Sequence, residues 1–175
     1  MKLVNIYTDG ACSGNQNEEN IGGWGAVLEF GGHEKELHGG EINTTNNRME
    51  LTALANALEA LREDGLKLRI FSDSSYLINC FKNKWYENWQ QNGWKNSKKE
   101  PVENRDLWER LLARTSVNSC VFYLVKGHVS TPTEAHYKKF ISHNGDSFSF
   151  DEFAKIIEYN NRCDSLANVF IGEQR

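Results

Sequence analysis

Ile6-Tyr7-Thr8-Asp9-Gly10-Ala11-Cys12-Ser13-Gly14-Asn15 is the stretch around which the chain is organised. It reads as a strand that ends on a carboxylate and turns into a Gly-rich loop. Leu3, Asn5, Tyr7 and Asp9 alternate with Val4, Ile6 and Thr8, so Asp9 shares a face with Tyr7. Its position at a strand's carboxyl end is where open α/β sheets carry their sites. Gly10 and Gly14 leave room for a ligand backbone to approach. The same residues also fit an ordinary strand followed by an Asp-Gly turn.

Outward from this stretch the chain keeps a clear rhythm. Gly22 to Phe30 reads as a second strand, Gly31-Gly32 as a hairpin turn, and His33 to Glu41 as a polar third strand at an edge. A helix follows the cap candidates Thr44-Thr45-Asn46 and runs as far as Arg62. At 100° per residue, Glu50 shares a stripe with Leu54, Ala57, Leu58 and Leu61. A carboxylate on an apolar stripe needs a partner, a metal ion or a wet rim. Leu66 to Asp73 is a further strand ending on an acid, and a helix starts at once from Ser74. Another helix begins at Pro101, and Ser119 to Lys126 forms a strand that leads to Gly127-His128. His128 reads either as a surface residue or as a proton carrier beside the strand ends.

Two segments stand apart. Lys82 to Lys99 holds five lysines against one glutamate, interleaved with Trp85, Tyr86, Trp89 and Trp94. Lysines attract phosphates and aromatic faces pack on sugars or bases; alternatively, the tryptophans plug the core and the lysines are only solvated. Residues 129–161 carry two capping patterns, Thr131-Pro132-Thr133-Glu134 and Ser149-Phe150-Asp151-Glu152, and predict a helical hairpin. A last helix follows from Arg162, with Asp164 flanking its apolar stripe.

The bulk numbers bound the classes. The 175 residues fit one domain over 1–175, and a net charge of −4 confines any nucleic-acid binding to a local patch. No apolar run is long enough for a bilayer, and Met1-Lys2-Leu3 leads into a strand rather than a signal peptide. A cytoplasmic chain with reduced thiols is expected. Cys12, Cys80, Cys120 and Cys163 have no zinc-site spacing. Four acids remain as candidates: Asp9, Glu50, Asp73 and Asp164. Crowded carboxylates raise one another's pKa and need a cation, and an oxygen-only donor set suits Mg²⁺ or Mn²⁺.

Tyr7-Thr8-Asp9-Gly10, Asn46-Asn47-Arg48-Met49-Glu50-Leu51, Ser72-Asp73-Ser74, Val125-Lys126-Gly127-His128 and Asn161-Arg162-Cys163-Asp164 together resemble the ordered motifs of type 1 ribonuclease H. The basic segment 82–99 resembles that family's handle. The resemblance implies an α/β ribonuclease H-like fold: a mixed five-stranded sheet, strand 2 antiparallel, with helices on both faces. It implies hydrolysis of the RNA strand of RNA–DNA hybrids with two Mg²⁺ ions, Mn²⁺ being an alternative, leaving 5′-phosphate and 3′-hydroxyl ends. Asp9, Glu50, Asp73 and Asp164 would be the metal ligands and His128 a catalytic aid. Gly10, Cys12, Asn15, Asn46, Asn47 and Ser75 would lie along the nucleic acid, and Lys84, Trp85, Trp89, Trp94, Lys95, Lys98 and Lys99 would form the handle's contacts. No membrane or obligatory protein partner is implied, and a monomer is expected. Ser75 stands where relatives often carry a longer amide side chain. The 36 positions from His128 to Asp164 exceed the spacing in compact bacterial members. Another nuclease or an integrase of the same fold, or a non-catalytic hybrid-binding module, are the competing readings.

Overall fold

The strands of the chain hydrogen-bond in the order β3-β2-β1-β4-β5 in a computed structural model that describes residues 2–14, 19–145 and 147–174. β1 (Leu3–Ser13), β2 (Ile21–Phe30) and β3 (His33–Ile42) form an antiparallel meander, and β4 (Lys67–Ser72) and β5 (Ser119–Leu124) add in parallel. The edge position of β3 fits its exposed, charged sequence. β1 does not turn at Asp9: Gly10 to Ser13 continue the ladder opposite Trp24 to Ile21. The parallel pairing with β4, however, stops at Thr8–Ser72. Asp9 is thus the first β1 residue beyond the parallel part of the sheet.

α1 (Asn46–Glu59) starts where Thr45 Oγ1 accepts the Arg48 amide at 3.0 Å, and ends three residues before Arg62. With α2 (Ser75–Lys82) and α4 (Arg105–Thr115) it covers one face of the sheet, around Ile6, Leu54, Leu68, Ile70 and Trp108. α3 (Trp85–Gln91) lies in the basic segment. Pro101 does not begin a helix. It forms an isolated bridge with Lys95, and the chain passes through Asn104 at φ 63° before α4 starts at Arg105.

The other face is covered by α5 (Glu134–Asn144) and α6 (Phe150–Glu173). The sequence predicted a hairpin closing near 161 and a separate helix from Arg162. A single helix of 24 residues runs through that point instead. Asn160 is buried there, and Asn161 Nδ2 donates to the Val129 carbonyl at 2.8 Å, so these polar residues hold the helix rather than end it. Thr133, not Thr131, caps α5, and its capping-box partner is His136. The Ser149 box forms as read: Ser149 Oγ accepts the Glu152 amide at 3.1 Å and Glu152 Oε1 accepts the Ser149 amide at 2.9 Å. Ser149→Ala removes half of it and is expected to cost about 1 kcal/mol in chemical denaturation.

Phe140, Phe148, Phe153, Ile156 and Ile157 form this second core with Tyr7 and Phe71. α5, Phe148 and the first half of α6 are therefore part of the sheet's packing. Tyr159, Tyr7, Phe71 and Tyr123 stack in a row, with successive ring centroids 4.3, 4.9 and 4.9 Å apart. The row exists because Tyr7, Phe71 and Tyr123 are in register across β1, β4 and β5.

Candidate active site

The site forms where β1 leaves the parallel sheet. Asp9, Glu50 and Asp73 each present a carboxylate oxygen there, all within 4.8 Å of one another. They arrive on three elements. Asp9 comes from β1, Glu50 from the second turn of α1, and Asp73 from the residue after β4. Gly10 makes the approach of α1 possible: a Cβ on it would stand 2.5 Å from the Glu50 nitrogen and 2.7 Å from the Met49 carbonyl carbon. Its amide donates to both Asp9 Oδ1 and Glu50 Oε1 at 2.9 Å. Ser72 Oγ lies 3.5 Å from the other oxygen, Glu50 Oε2.

Burial dominates the electrostatics. Asp9 is 4% and Glu50 2% exposed. Burial first, then repulsion from Glu50 and Asp73, raises the Asp9 pKa. Glu50 is raised by burial and by Asp73, against the Gly10 and Ser72 hydrogen bonds. Asp73 is also raised, chiefly by burial; Asp164 adds to the rise, and the Asp9 hydrogen bond and His128 oppose it. Such a set is unfavourable alone and suited to a cation. Its donors are all oxygen, which hard divalent ions prefer.

The remaining predicted residues fall into groups. Asp164 is half-buried on α6, close enough to act on Asp73, and lies outside the tight three-acid cluster. His128 is exposed at φ 60°, just after β5. Gly127 is pressed against Asp73 Oδ2, where a Cβ has no space. Cys12 Sγ reaches the Thr44 carbonyl at 3.7 Å, at the entrance to α1, where Asn46 and Asn47 are exposed. Ser75 is exposed at the first position of α2. Asn15 lies outside the described residues. In the basic segment Lys84, Lys95, Lys98 and Lys99 are exposed, and Trp85 is 40% exposed. Trp89 and Trp94 turn inward onto the first core, Trp89 edge-on to Trp108 with centroids 5.5 Å apart. They anchor the segment while staying half-buried.

Sequence reading missed several residues that position these groups. Arg48 pairs with Asp106 through both terminal nitrogens, at 3.0 and 2.7 Å, and with Glu41 at 3.0 Å, tying α1 to α4 and β3. Its place two residues before Glu50 was the available signal. Gly23 and Gly25 on β2 sit directly under α6: a Cβ on Gly25 would be 2.5 Å from the Cys163 carbonyl oxygen, and one on Gly23 would overlap the Ala167 carbonyl oxygen. These two glycines bring Asp164 down to the sheet. Thr8 Oγ1 is buried with no hydrogen-bond partner among the described residues.

Comparison with known proteins agrees with this architecture. A ribonuclease H of Syntrophomonas wolfei is 46% identical over 167 residues, covering 95% of this chain and 94% of the relative. One from Chlorobaculum parvum is 43% identical over 173 residues, covering 99% and 98%. Among solved structures, LC9-RNase H1, a type 1 RNase H with the type 2 active-site motif, superposes with a TM-score of 0.73 at 25% identity, over 99% of this chain and 74% of that one. The foamy viral protease–reverse transcriptase in complex with RNA/DNA hybrid shares the fold at a TM-score of 0.60 and 20% identity, over 97% of this chain and 20% of that one. The family model described as RNase H matches residues 1–170. Since that match and the relatives' identity both extend along nearly the whole chain, the protein belongs to the RNase H family.

Proposed function

We propose that the protein hydrolyses the RNA strand of RNA–DNA hybrids with two Mg²⁺ ions held by Asp9, Glu50, Asp73 and Asp164. The observation that carries this reading is the meeting of three carboxylates, two of them buried, within 4.8 Å. Bound there, divalent ions lower the pKa of an attacking water and neutralise the departing 3′ oxygen of a phosphodiester, leaving 5′-phosphate and 3′-hydroxyl ends.

The chain's own residues divide the work. Gly10 and Ser72 fix the two oxygens of Glu50 by hydrogen bonds, so it needs no rearrangement to accept a cation. Asp9 joins Glu50 to Asp73. Asp164 is more open to solvent and completes the set from α6. His128, exposed beside Asp73, takes or returns a proton as product leaves. Cys12, Asn46 and Asn47 border the groove where the RNA strand's 2′-hydroxyls are read. The lysines of residues 82–99 hold phosphates of the DNA strand, with Trp85 as the exposed indole. Among the described residues no helix is long and apolar enough to cross a membrane. The four cysteines are free thiols, in keeping with a monomeric enzyme of the reducing cytoplasm.

The test uses a hybrid whose RNA strand carries a 5′ label, beside single-stranded RNA and duplex DNA. Mg²⁺-dependent cleavage of RNA in the hybrid, stopped by chelator, is expected. Cleavage of duplex DNA instead identifies another nuclease of this fold, and binding without cleavage identifies a hybrid-binding module. Backbone contacts also predict steep salt dependence: log affinity should fall with log salt by about 0.7–0.9 per phosphate contacted. Anisotropy titrations with no slope contradict the lysine assignment.

A further inference from the structure

A cavity of about 360 Å³ opens beside Asp73, between the end of β5 and α5. Its α5 wall carries His136, Lys139 and His143, and its opposite wall carries Ser75 and Lys126. Positions 136, 139 and 143 are three and four residues apart, so they share one face of α5. Phe140 and Phe153 also line the cavity and are anchored in the second core, so the face is held rigidly.

Hydrogen-bond donors dominate the polar lining. His136 Nδ1 accepts the Thr133 amide at 3.2 Å in the α5 capping box. The Thr133 hydroxyl also lies 3.0 Å from Nδ1; in the tautomer that accepts from the amide, Nε2 carries the hydrogen and can donate. Lys126 and Lys139 form no ion pair among the described residues. Among the described residues the single carboxylate on the wall is Asp73, which belongs to the cleavage site. Two ammonium groups, two imidazoles and a hydroxyl make a site for an anion, and its opening onto Asp73 makes it continuous with the path of the strand being cut.

We propose that this cavity is a phosphate subsite. It binds a backbone phosphate of the RNA strand next to the scissile one, through Lys139, His143, His136 Nε2 and Lys126. The inference rests on the hybrid-cleavage reading above, and it gives α5 a part in substrate binding as well as in packing. The subsite sets where the RNA strand lies relative to Asp73. Lys138, the neighbouring exposed lysine of α5, does not line the cavity and serves as the control.

The experiment measures hybrid binding by fluorescence anisotropy in Mg²⁺, in an Asp9→Asn background so that the hybrid is not consumed. Lys139→Ala should weaken binding about tenfold, as expected for one lost charged hydrogen bond. It should also reduce the salt slope by about 1, the signature of one phosphate contact. Lys138→Ala should change neither quantity by a comparable amount. If Lys139→Ala keeps the parent's affinity and slope, or merely matches Lys138→Ala, the subsite is overturned while wild-type cleavage of hybrid leaves the function standing. A parent that binds no hybrid, with a wild type that cleaves none, overturns both.

Discussion

Asp9→Asn should abolish cleavage and, in the absence of metal, make the protein harder to unfold. Both effects come from the same geometry. Asp9 is buried between Glu50 and Asp73, and burial and repulsion raise all three carboxyl pKa values. For an acid whose folded pKa lies above its unfolded value, the folded state binds more protons than the unfolded chain between the two values. Stability then falls as pH rises through that window. The penalty is absent below about pH 4, where the carboxyls are protonated in both states, and it is complete above the raised folded values. A neutral amide at position 9 removes the cost of protonating that carboxyl or burying its charge, and relieves its two neighbours. At about 1.4 kcal/mol for each pH unit by which a titration is displaced, the expected gain near neutral pH is on the order of 2 kcal/mol. Urea unfolding in chelator should show it, and the gain should shrink toward pH 4. Saturating Mg²⁺ should reverse the order, because a ligand of the folded state stabilises only the protein that binds it. Loss of one preorganised hydrogen-bond donor typically slows a reaction by about 10²–10³-fold. Removing the carboxylate that lies between Glu50 and Asp73 should exceed that. Equal stability of the two metal-free proteins across pH contradicts the electrostatic account.

Gly23→Ala is expected to be the most damaging single-methyl substitution outside the acids. The added Cβ overlaps the Ala167 carbonyl oxygen and would stand 2.9 Å from its carbonyl carbon. Both are backbone atoms in the middle of α6, so no side-chain rotation relieves the contact. Either the helix lifts or β2 bends. Overpacking of this kind costs about 3 kcal/mol or more when backbone must move. In a protein of this size that corresponds to a fall in Tm of about 6–12 °C. Activity at permissive temperature should fall as well, since lifting α6 withdraws Asp164 from Asp73. Gly172→Ala is the matched control. Gly172 lies in the last turn of the same helix with nothing within 4 Å of its would-be Cβ. There the change should be neutral or stabilise by up to about 1 kcal/mol, since alanine restricts the unfolded chain and favours helix. Equal Tm values for the two variants contradict the close packing of α6 on β2.

Three of the four carboxylates were legible because each breaks a local pattern. Asp9 and Asp73 end the apolar alternation of their strands, and Glu50 occupies an apolar stripe. Asp164 was the weaker candidate: it only flanks an apolar stripe, and the resemblance to a family motif added the rest. What was not legible is mostly tertiary. Gly10 looked like the start of a turn, but β2 supplies partners as far as Ser13, and pairing overrides the local Asp-Gly preference. At Asn161-Arg162 the sequence suggested the end of one helical segment and the start of another. A buried Asn160, the Asn161 bond to Val129, and Arg162 pairing with Glu34 and Glu36 at 2.8 and 2.7 Å satisfy those groups inside a continuous helix. Gly23 and Gly25 read only as part of the second strand; the close approach of α6 that they permit is a tertiary fact. Trp89 and Trp94 fit the second of the two readings offered for the basic stretch: both are half-buried and pack against the first core.

The most direct test of the central claim, that the acid cluster holds the ions that cut RNA, is the single-turnover cleavage rate of a labelled RNA–DNA hybrid across a Mg²⁺ titration, for wild type and Asp73→Asn. The wild-type rate should rise and saturate with Mg²⁺, and the Asp73→Asn rate should be lower by at least about 10²–10³-fold at every concentration. A wild type that leaves the RNA intact, or an Asp73→Asn protein that cuts it within a few-fold of the wild-type rate, would contradict it.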